Sequence, residues 1–333
     1  MESVNKTKAI VITSIFQPTL AVEAFAKMPD HHLIVVGDKK TPAGWACQGA
    51  EYLSVRDQEL LDFKLAKALP YNHYCRKMLG YLKAIKNGAG YIIDTDDDNY
   101  PNENWCFPKT EGKHSLLNAN QGFINIYQWF TDQHVWPRGL PLDLLLKDFE
   151  LHQNVETQTC KVGIWQGLAD EDPDVDAIYR LTLNKLITFN DAKPVVLDKG
   201  TIAPFNTQNT LIVKDLFPLL YLPTYVTFRF TDILRGLIAQ PIMWLYGYQL
   251  GFTGANVVQK RNPHNFVDDL ESEMPMYKYC KDIIPTVEAV ISSSRSMSQN
   301  LQDAYQALHK KGIVTAQELL NLDHWLDDIA CLL

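Results

Sequence analysis

The sequence lacks the glycine-rich signatures that mark many nucleotide-binding sites. Neither GxGxxG nor GxxxxGK[ST] follows the first predicted strand. In those motifs the glycines let the backbone wrap closely around a phosphate group. Their absence argues against both dinucleotide-dependent oxidoreductases and P-loop enzymes.

Long apolar runs and paired cysteines are missing as well. No run approaches the roughly 18 apolar residues that span a bilayer, and the polar start does not resemble a signal peptide. The six cysteines are scattered without a CxxC pair, so neither a zinc site nor a disulfide framework is expected. A reducing cytoplasm is the simplest compartment.

Positive charge is also in short supply. With 31 basic and 39 acidic residues the net charge is −8, which argues against a general nucleic-acid binder. An anionic ligand would need local cations to overcome this field. The 333 residues, 46% of them hydrophobic, are enough for one large α/β domain or two ordinary domains.

The most informative stretch is YIIDTDDDNY, residues 91–100. An apolar run of this length predicts a buried strand, and its end carries four acids within five residues. Crowded carboxylates raise each other's pKa values unless a cation lies among them. Oxygen ligands of this kind favour Mg²⁺ or Mn²⁺. A solvated acidic turn is the alternative.

A calcium-binding EF-hand loop is a rival interpretation of these acids. Asp94, Asp96 and Asp98 fall at its positions 1, 3 and 5, but Asn99 replaces the required glycine and Trp105 the required glutamate. The EF-hand reading therefore fails.

The chain opens with the pattern of a parallel α/β sheet. Strands are predicted at 8–14 and 32–36, with a helix at 21–28 between them. Ligands of such sheets bind outside the carboxyl ends of the strands. Polar residues there could receive a nucleotide base and ribose: Thr13, Ser14, Asp38 and Lys39. For Asp38, simple turn formation is an equal alternative.

A helix predicted over 72–87 leads into the acidic strand. Arg76 and Lys77 lie off its apolar stripe and could reach a diphosphate near the metal, although a solvated face would give the same pattern. Gly80 inside the helix costs about 1 kcal/mol relative to alanine, which hints at a close approach of backbone or ligand.

Further polar clusters follow an aromatic-rich segment at 101–160. A Gly/Trp turn is predicted at 163–169, followed by five acids over 170–176 that include Asp174 and Asp176. Two acidic clusters so far apart in sequence suggest one shared polar site. The loop 201–210, with Asn206 and Gln208, is suited to binding hydroxyl groups.

The last part of the chain supplies one more acid and two late candidates. A strand is predicted at 225–230, followed by a helix in which Asp232 occupies the first turn. This acid could complement the helix dipole or act as a general base. Pro241 should kink or end that helix. Arg261 and His264 supply a cation and an imidazole later in the chain. Residues 276–333 are predicted to form helices around a serine-rich turn.

Several ordered motifs together resemble the STELLO-like family of glycosyltransferases over roughly residues 8–280. They are VVGDKKTP (35–42), LPYNHYCRKMLGYLKAIKNGA (69–89), IIDTDDDN (92–99), PDVDAIYRLT (173–182), APFNTQNT (203–210), FRFTDILRG (228–236) and QKRNPHNF (259–266). More distantly, residues 96–98, 163–177 and 231–236 are similar to the reversibly glycosylated polypeptides, which include UDP-arabinopyranose mutase.

This resemblance implies a fold and a domain arrangement. The expected class is α/β, a GT-A-like nucleotide-sugar transferase fold with a mixed, mainly parallel central sheet. Residues 1–275 would form the transferase domain, with a nucleotide-binding half at about 1–100 and an acceptor half at about 160–270. Residues 276–333 would form a helical extension.

The resemblance also implies roles for individual residues. Asp98 would bind Mn²⁺ or Mg²⁺, Asp96 would contact the metal, ribose or sugar, and His264 would complete the metal shell. Asp232 matches the general base of inverting members. The remaining nucleotide or sugar contacts would be Thr13, Ser14, Asp38, Lys39, Arg76, Lys77, Asp97, Asp174, Asp176, Asn206, Gln208 and Arg261.

The expected activity is transfer of a sugar from a nucleoside diphosphate sugar, with UDP favoured, to a hydroxyl of a glycan or other acceptor. The alternatives are a nucleotide-sugar mutase or self-glycosylating protein, a non-catalytic sugar-nucleotide-binding module, and a phosphatase with Asp94 or Asp96 as nucleophile. No nucleic-acid partner and no transmembrane segment are expected, and the oligomeric state stays open. The expected location is cytoplasmic, with the periphery of a glycan-assembling membrane as a variant.

Overall fold

The computed structural model describes residues 7–118, 122–153, 155–261 and 265–333. His264 lies outside the described residues. The strands are β1 (Lys8–Thr13), β2 (His31–Val36), β3 (Ala50–Leu53), β4 (Tyr91–Thr95), β5 (Asn99–Pro101), β6 (Glu111–Leu117), β7 (Gly122–Phe123), β8 (Val155–Glu171), β9 (Val195–Leu197), β10 (Thr201–Ile202), β11 (Asn209–Val213) and β12 (Gln249–Gln259).

Helices cover the sheet and form the end of the chain. They are α1 (Leu20–Ala26), α2 (Val55–Glu59), α3 (Lys64–Ala68), α4 (Lys77–Lys86), α5 (Ala177–Thr182), α6 (Thr231–Leu245), α7 (Phe266–Glu288), α8 (Met297–Lys310) and α9 (Ala316–Ala330). Short 3-10 turns lie at Tyr74–Arg76, Ile126–Trp129, Leu142–Leu144, Leu151–Gln153, Lys214–Leu220 and Phe228–Phe230.

The main sheet has the strand order β3-β2-β1-β4-β11-β8-β6-β9-β12-β5, with β8 also paired to β12. Strands β1, β2, β3 and β4 run parallel, and β11 runs antiparallel between β4 and β8. Strand β12 is parallel to β8. The expected mixed α/β class is confirmed, although antiparallel pairs are as frequent as parallel ones among the described strands.

This topology collects polar chain ends at one edge of the sheet. Because β1, β2, β4, β8 and β12 share one direction, their carboxyl ends lie at the same edge. The antiparallel β11 begins at that edge, so the loop before it lies there too. Loops from opposite ends of the sequence therefore meet, as expected for an open α/β sheet.

Helix α4 lies unusually close to the first two strands. A Cβ atom added to Gly80 would stand 2.5 Å from Val11 Cγ1 and 2.8 Å from Val36 Cγ2. The close approach suspected from the sequence is therefore one of helix backbone against sheet, not of a ligand.

Three local expectations were wrong. Residues 163–169 lie inside β8 instead of forming a turn, because Gly163 and Gly167 admit Leu216 and the side chains of neighbouring strands. Residues 225–230 form a bend and a 3-10 turn instead of a strand. There Thr227 donates to the Ser272 carbonyl and the Arg229 amide donates to the Ser272 hydroxyl, which fixes the segment against α7.

The third concerns Pro241, which does not end α6. The helix continues to Leu245, and residues 231–244 are all buried. Packing on every side outweighs the roughly 3 kcal/mol that an interior proline costs an isolated helix.

Candidate functional site

Two adjoining cavities open at the polar edge of the sheet. The acidic chamber, about 230 Å³, is lined by Thr13, Tyr74, Asp96, Asp97, Asp98, Arg138, Asp174, Thr207, Gln208, Phe228, Arg229, Asp232, Gln259 and Arg261. The apolar chamber, about 240 Å³, is lined by Thr13, Ser14, Ile15, Phe16, Val36, Gly37, Asp38, Lys40, Asn72, His73, Tyr74, Arg76, Asp97 and Phe228. The two linings share Thr13, Tyr74, Asp97 and Phe228, so the chambers adjoin.

The three consecutive aspartates stand where the chambers meet. Asp96 and Asp98 line only the acidic chamber, whereas Asp97 lines both and accepts a hydrogen bond from Ser14 Oγ at 2.5 Å. Burial raises the pKa of Asp96 to about 7, with further upward contributions from Asp98 and Asp94 that oppose the lowering effect of Lys77. The crowding inferred from the sequence is therefore present.

Asp96 and Asp98 suit a divalent ion whose remaining ligands are water and the phosphates of a bound substrate. Among the residues the structure describes, no three His, Cys, Asp or Glu side chains are grouped to hold a metal. Asp96 and Asp98 offer two carboxylates, and Gln259 Nε2 donates to both Asp98 oxygens at 3.3 Å. Mg²⁺ is commonly held by one or two carboxylates together with water and substrate phosphates, so this donor set suits it.

Lys77 lies behind the acids instead of in the cleft. Its ammonium is 2.6 Å from Asp94 Oδ1 and donates to the Thr95 carbonyl and to Asp96 Oδ1, at 2.6 and 3.0 Å. The side chain is fully buried and lines neither chamber. It therefore fixes the strand end that carries the acids, which differs from the diphosphate contact expected from the sequence.

Arg76 also lies away from the metal acids, in the wall of the apolar chamber. Its Nε donates to Gln58 Oε1 at 2.7 Å and its Nη1 to the Leu69 carbonyl at 3.1 Å. Nη2 is buried without a hydrogen-bond partner in the described part of the chain. Burial lowers the pKa of this guanidinium, which is typical of a cation short of counter-charge.

Asp38 lines the apolar chamber at the end of β2. One carboxylate oxygen accepts from the Lys39 amide at 2.7 Å and the other from the His73 amide at 3.2 Å. Lys39 itself lines neither chamber; its ammonium lies over the Tyr71 ring. In its place, Lys40 reaches the chamber wall.

A single guanidinium joins two acids on the far wall of the acidic chamber. Arg138 donates to Asp174 from Nε and Nη2, at 2.9 and 2.6 Å, and to Asp232 from Nη1 and Nη2, both at 2.9 Å. Burial opposes ionisation of Asp174, but Arg138 and Arg229 outweigh it and lower its pKa to about 2.

Asp232 occupies the first turn of α6, as expected, and lines the acidic chamber. Besides Arg138 it accepts two longer hydrogen bonds from Thr207, from the amide at 3.3 Å and from Oγ1 at 3.4 Å. These two long contacts are the ones that a substrate hydroxyl could replace.

Gln208 and Arg261 line the acidic chamber, whereas Asn206 lines neither chamber. Asn206 Nδ2 donates to Asp174 at 2.8 Å, and Gln208 Nε2 donates to Gln259 Oε1. Arg261 is 3.9 Å from Asp269. Burial, together with repulsion from Arg229, lowers its pKa to about 10, so this cation is well placed for an anionic ligand.

Asp176, in contrast, is a helix cap outside the cleft. It is fully buried and accepts from the Tyr179 amide at 2.8 Å at the start of α5. Burial raises its pKa to about 6. Its place in the acidic run at 170–176 does not bring it to the site, because the chain turns inward after Asp174.

Sequence reasoning missed several lining residues: Tyr74, Arg138, Thr207, Phe228, Arg229 and Gln259. Arg138 had one available signal, because it is the single arginine between Arg76 and Arg180. An isolated Pro-Arg-Gly in an aromatic-rich insert does not indicate which acids it will meet, and the pairing depends on the tertiary fold.

Comparison with known proteins gives consistent similarities. The family model described as STELLO glycosyltransferases matches residues 229–332. The chain is 28% identical to "Probable glycosyltransferase STELLO1" of Arabidopsis thaliana, over 97% of this chain and 44% of that protein. It is 27% identical to "Probable glycosyltransferase STELLO2" of the same organism, over 98% and 45%. The chain thus spans less than half the length of these curated relatives.

One solved structure, titled "Crystal Structure of a Mycobacterial Protein", covers 93% of this chain and 76% of its own, with a TM-score of 0.41 and 10% identity. A similarity this low supports no inference about fold or function. In the described ranges, no helix has the length and apolar character needed to cross a membrane.

Proposed function

We propose that this chain, a member of the STELLO-like family, is a glycosyltransferase domain that takes its sugar from a nucleoside diphosphate sugar. The observation that carries the proposal is the adjacency of the two chambers, with Asp97 in both linings and Asp96 and Asp98 beside it in the acidic one. A nucleoside diphosphate sugar has the same three parts in the same order: an aromatic base and ribose, a dianionic bridge, and a hydroxyl-rich ring. The fold we assign is GT-A-like.

The apolar chamber is the proposed site of the base and ribose. Its wall combines Val36 and Phe16 with Arg76, whose Nη2 has no hydrogen-bond partner in the described part of the chain, and this combination suits an aromatic ring bearing a carbonyl acceptor. Uracil has two such carbonyls, and we favour UDP for that reason. Asp97, which lines both chambers, lies where ribose hydroxyls would pass.

The diphosphate is assigned to the acids and to Arg261. A Mg²⁺ or Mn²⁺ ion held by Asp96 and Asp98 would offset the charge of the leaving diphosphate. Gln259 orients Asp98, Lys77 holds Asp96 from behind, and Arg261 supplies positive charge within the same chamber. These groups stabilise charge that grows as the bond to the sugar breaks.

Asp232 is the proposed general base. The acceptor hydroxyl would replace the long contacts from Thr207, give its proton to Asp232 and form a new bond to the anomeric carbon as the bond to the diphosphate breaks, with inversion. Its pairing with Arg138 at 2.9 Å fixes the position of the carboxylate in the chamber lining.

A binding screen tests this function directly. Nucleoside diphosphates and their sugars, each with and without Mn²⁺, are titrated into the protein and followed by calorimetry and thermal shift. We expect uridine nucleotides to bind best and Mn²⁺ to tighten binding. Equal failure of all nucleoside diphosphates to bind would overturn the proposal, and label transferred from a sugar nucleotide to the protein itself would instead favour self-glycosylation.

A further inference from the structure

Arg138 makes polar contacts to the walls of the cleft that none of the roles described so far explains. Besides its four hydrogen bonds to Asp174 and Asp232, Nη1 donates to the Arg229 carbonyl and the backbone amide donates to the Asp174 carbonyl at 3.0 Å. One residue from the segment between β7 and β8 therefore joins the loop before α5 and the start of α6.

The backbone next to Arg138 has a conformation that lets its side chain enter the cleft wall. Gly139 has φ +94°, and a Cβ atom there would lie 2.6 Å from Ile233 Cγ2 and 3.0 Å from Pro204 Cβ. Only glycine tolerates both that dihedral angle and that contact. The segment is thereby pressed against α6, and Arg138 enters the cleft wall with only 4% of the residue exposed to solvent.

The location of the cluster indicates what it serves. Arg138, Asp174 and Asp232 line the acidic chamber but not the apolar one. If the base occupies the apolar chamber and the phosphates lie at Asp96 and Asp98, the remaining part of the acidic chamber is left for the sugar.

We propose that Arg138 is the positioning residue of the sugar side of the cleft, where it holds Asp174 and Asp232 at the spacing that receives the sugar ring. This inference rests on the proposed function. The planar fork of arginine can bind two carboxylates at once, which a lysine ammonium does not reproduce. Without it Asp232 would lose its arginine partner and Asp174 would keep only the longer arginine contact, to Arg229 at 3.7 Å, so the two buried carboxylates would repel each other and move apart.

The test separates binding of the sugar from binding of the nucleotide. UDP, UDP-glucose, UDP-galactose and UDP-arabinose are titrated with Mn²⁺ into the wild-type protein, Arg138→Ala and the control Arg295→Ala, whose half-exposed guanidinium pairs with Asp303. In Arg138→Ala we expect UDP affinity to stay within about twofold and the best UDP-sugar to weaken at least tenfold, a loss of about 1.4 kcal/mol. Arg295→Ala should match the wild type for every ligand.

Chemical rescue adds a readout that general loss of structure would not give. Millimolar guanidinium should restore UDP-sugar affinity to Arg138→Ala by filling the space between the two acids, whereas urea, of the same shape but neutral, should not. If thermal melting shows that Arg138→Ala does not fold, Arg138→Lys is used, and the same split between UDP and UDP-sugar is expected with a smaller amplitude.

The outcomes distinguish this inference from the function on which it rests. Equal weakening of UDP and UDP-sugar, or no weakening of either, overturns the role of Arg138. Wild-type protein that binds UDP but gains nothing from any of the sugars removes the sugar-side assignment and leaves the nucleotide site standing. Wild-type protein that does not bind UDP removes the UDP assignment, and wild-type protein that binds none of the nucleoside diphosphates removes the proposed function itself.

Discussion

Lys77 and Asp94 form an ion pair of 2.6 Å in which neither side chain is exposed to solvent. Asp94 also accepts from Arg235 Nη1 at 3.1 Å and from the Tyr81 hydroxyl at 2.6 Å. The carboxylate therefore joins α4, β4 and α6 directly beneath the acids at the cleft. Buried groups of this kind are costly to desolvate but costlier still to break singly.

Replacing Asp94 by asparagine should therefore destabilise the protein strongly. The change leaves Lys77 and Arg235 buried with too little negative charge, and we expect a loss of about 3–5 kcal/mol in the free energy of unfolding. Urea denaturation measures it. Asp303→Asn, which breaks the partly exposed pair with Arg295, is the control and should cost less than about 1 kcal/mol. Equal effects of both changes would contradict the prediction.

Asp98→Asn should remove the metal dependence of nucleotide binding. The amide is a weaker ligand for a hard divalent ion, so Mn²⁺ should no longer tighten UDP binding in calorimetric titrations. Asp97→Asn serves as the matched comparison, because Asp97 contacts Ser14 in the apolar chamber. That variant should lower UDP affinity by a similar factor with and without Mn²⁺. A full Mn²⁺ effect in Asp98→Asn would remove Asp98 from the metal site.

Arg76→Met should weaken UDP binding about tenfold and also lower stability. The loss of stability is expected at about 1–3 kcal/mol, because Gln58 Oε1 and the Leu69 carbonyl lose a buried donor. Lys39→Met is the control, since Lys39 lies over Tyr71 outside both chambers, and it should leave UDP affinity unchanged. If the arginine variant is destabilised but binds UDP normally, Arg76 is structural only.

Asp176 should make stability fall as pH rises. Its pKa in the folded protein is raised from 3.8 to about 6, so between these values the folded state retains a proton that the unfolded state releases. The free energy of unfolding should lose up to roughly 3 kcal/mol from this group across that window. The loss is complete above about pH 6.

Asp176→Asn isolates this effect, because asparagine can still cap Tyr179. Urea denaturation between pH 4 and pH 7.5 should show the variant matching the wild type at the acid end and exceeding it at neutral pH. If the free energies of unfolding of the variant and the wild type differ by the same amount at every pH, Asp176 does not titrate as inferred.

The parts of this fold that follow from local pattern were predictable from sequence. Strands β1, β2 and β4 and helix α4 are apolar and periodic, and the acids after β4 are a chemical signal in themselves. By contrast, residues 163–169 of β8 were predicted to form a turn because glycine is common in turns. In the structure these glycines leave room for neighbouring side chains. Nothing in a linear sequence shows which surface will press on a glycine.

The candidate site divides in the same way. Asp98, Asp174, Gln208 and Asp232 all line the acidic chamber, and each lies near the end of a predicted element or in a polar loop. Lys77 and Asp176 line neither chamber, because Lys77 pairs with Asp94 and Asp176 caps α5 at the Tyr179 amide. A charged residue that is close to a site residue in the sequence does not necessarily point its side chain into the site.

Strand β11 has one more consequence for the cleft. It shares backbone hydrogen bonds with β4 along 91–95 and with β8 at 164–166, so these two strands are held one strand apart. Neighbouring strands in a sheet are about 4.8 Å apart, and the positions of β4 and β8 relative to each other are therefore set by the sheet. The loops that carry the acids start from strands whose spacing is fixed before any ligand arrives, which reduces the ordering of the protein that would oppose binding.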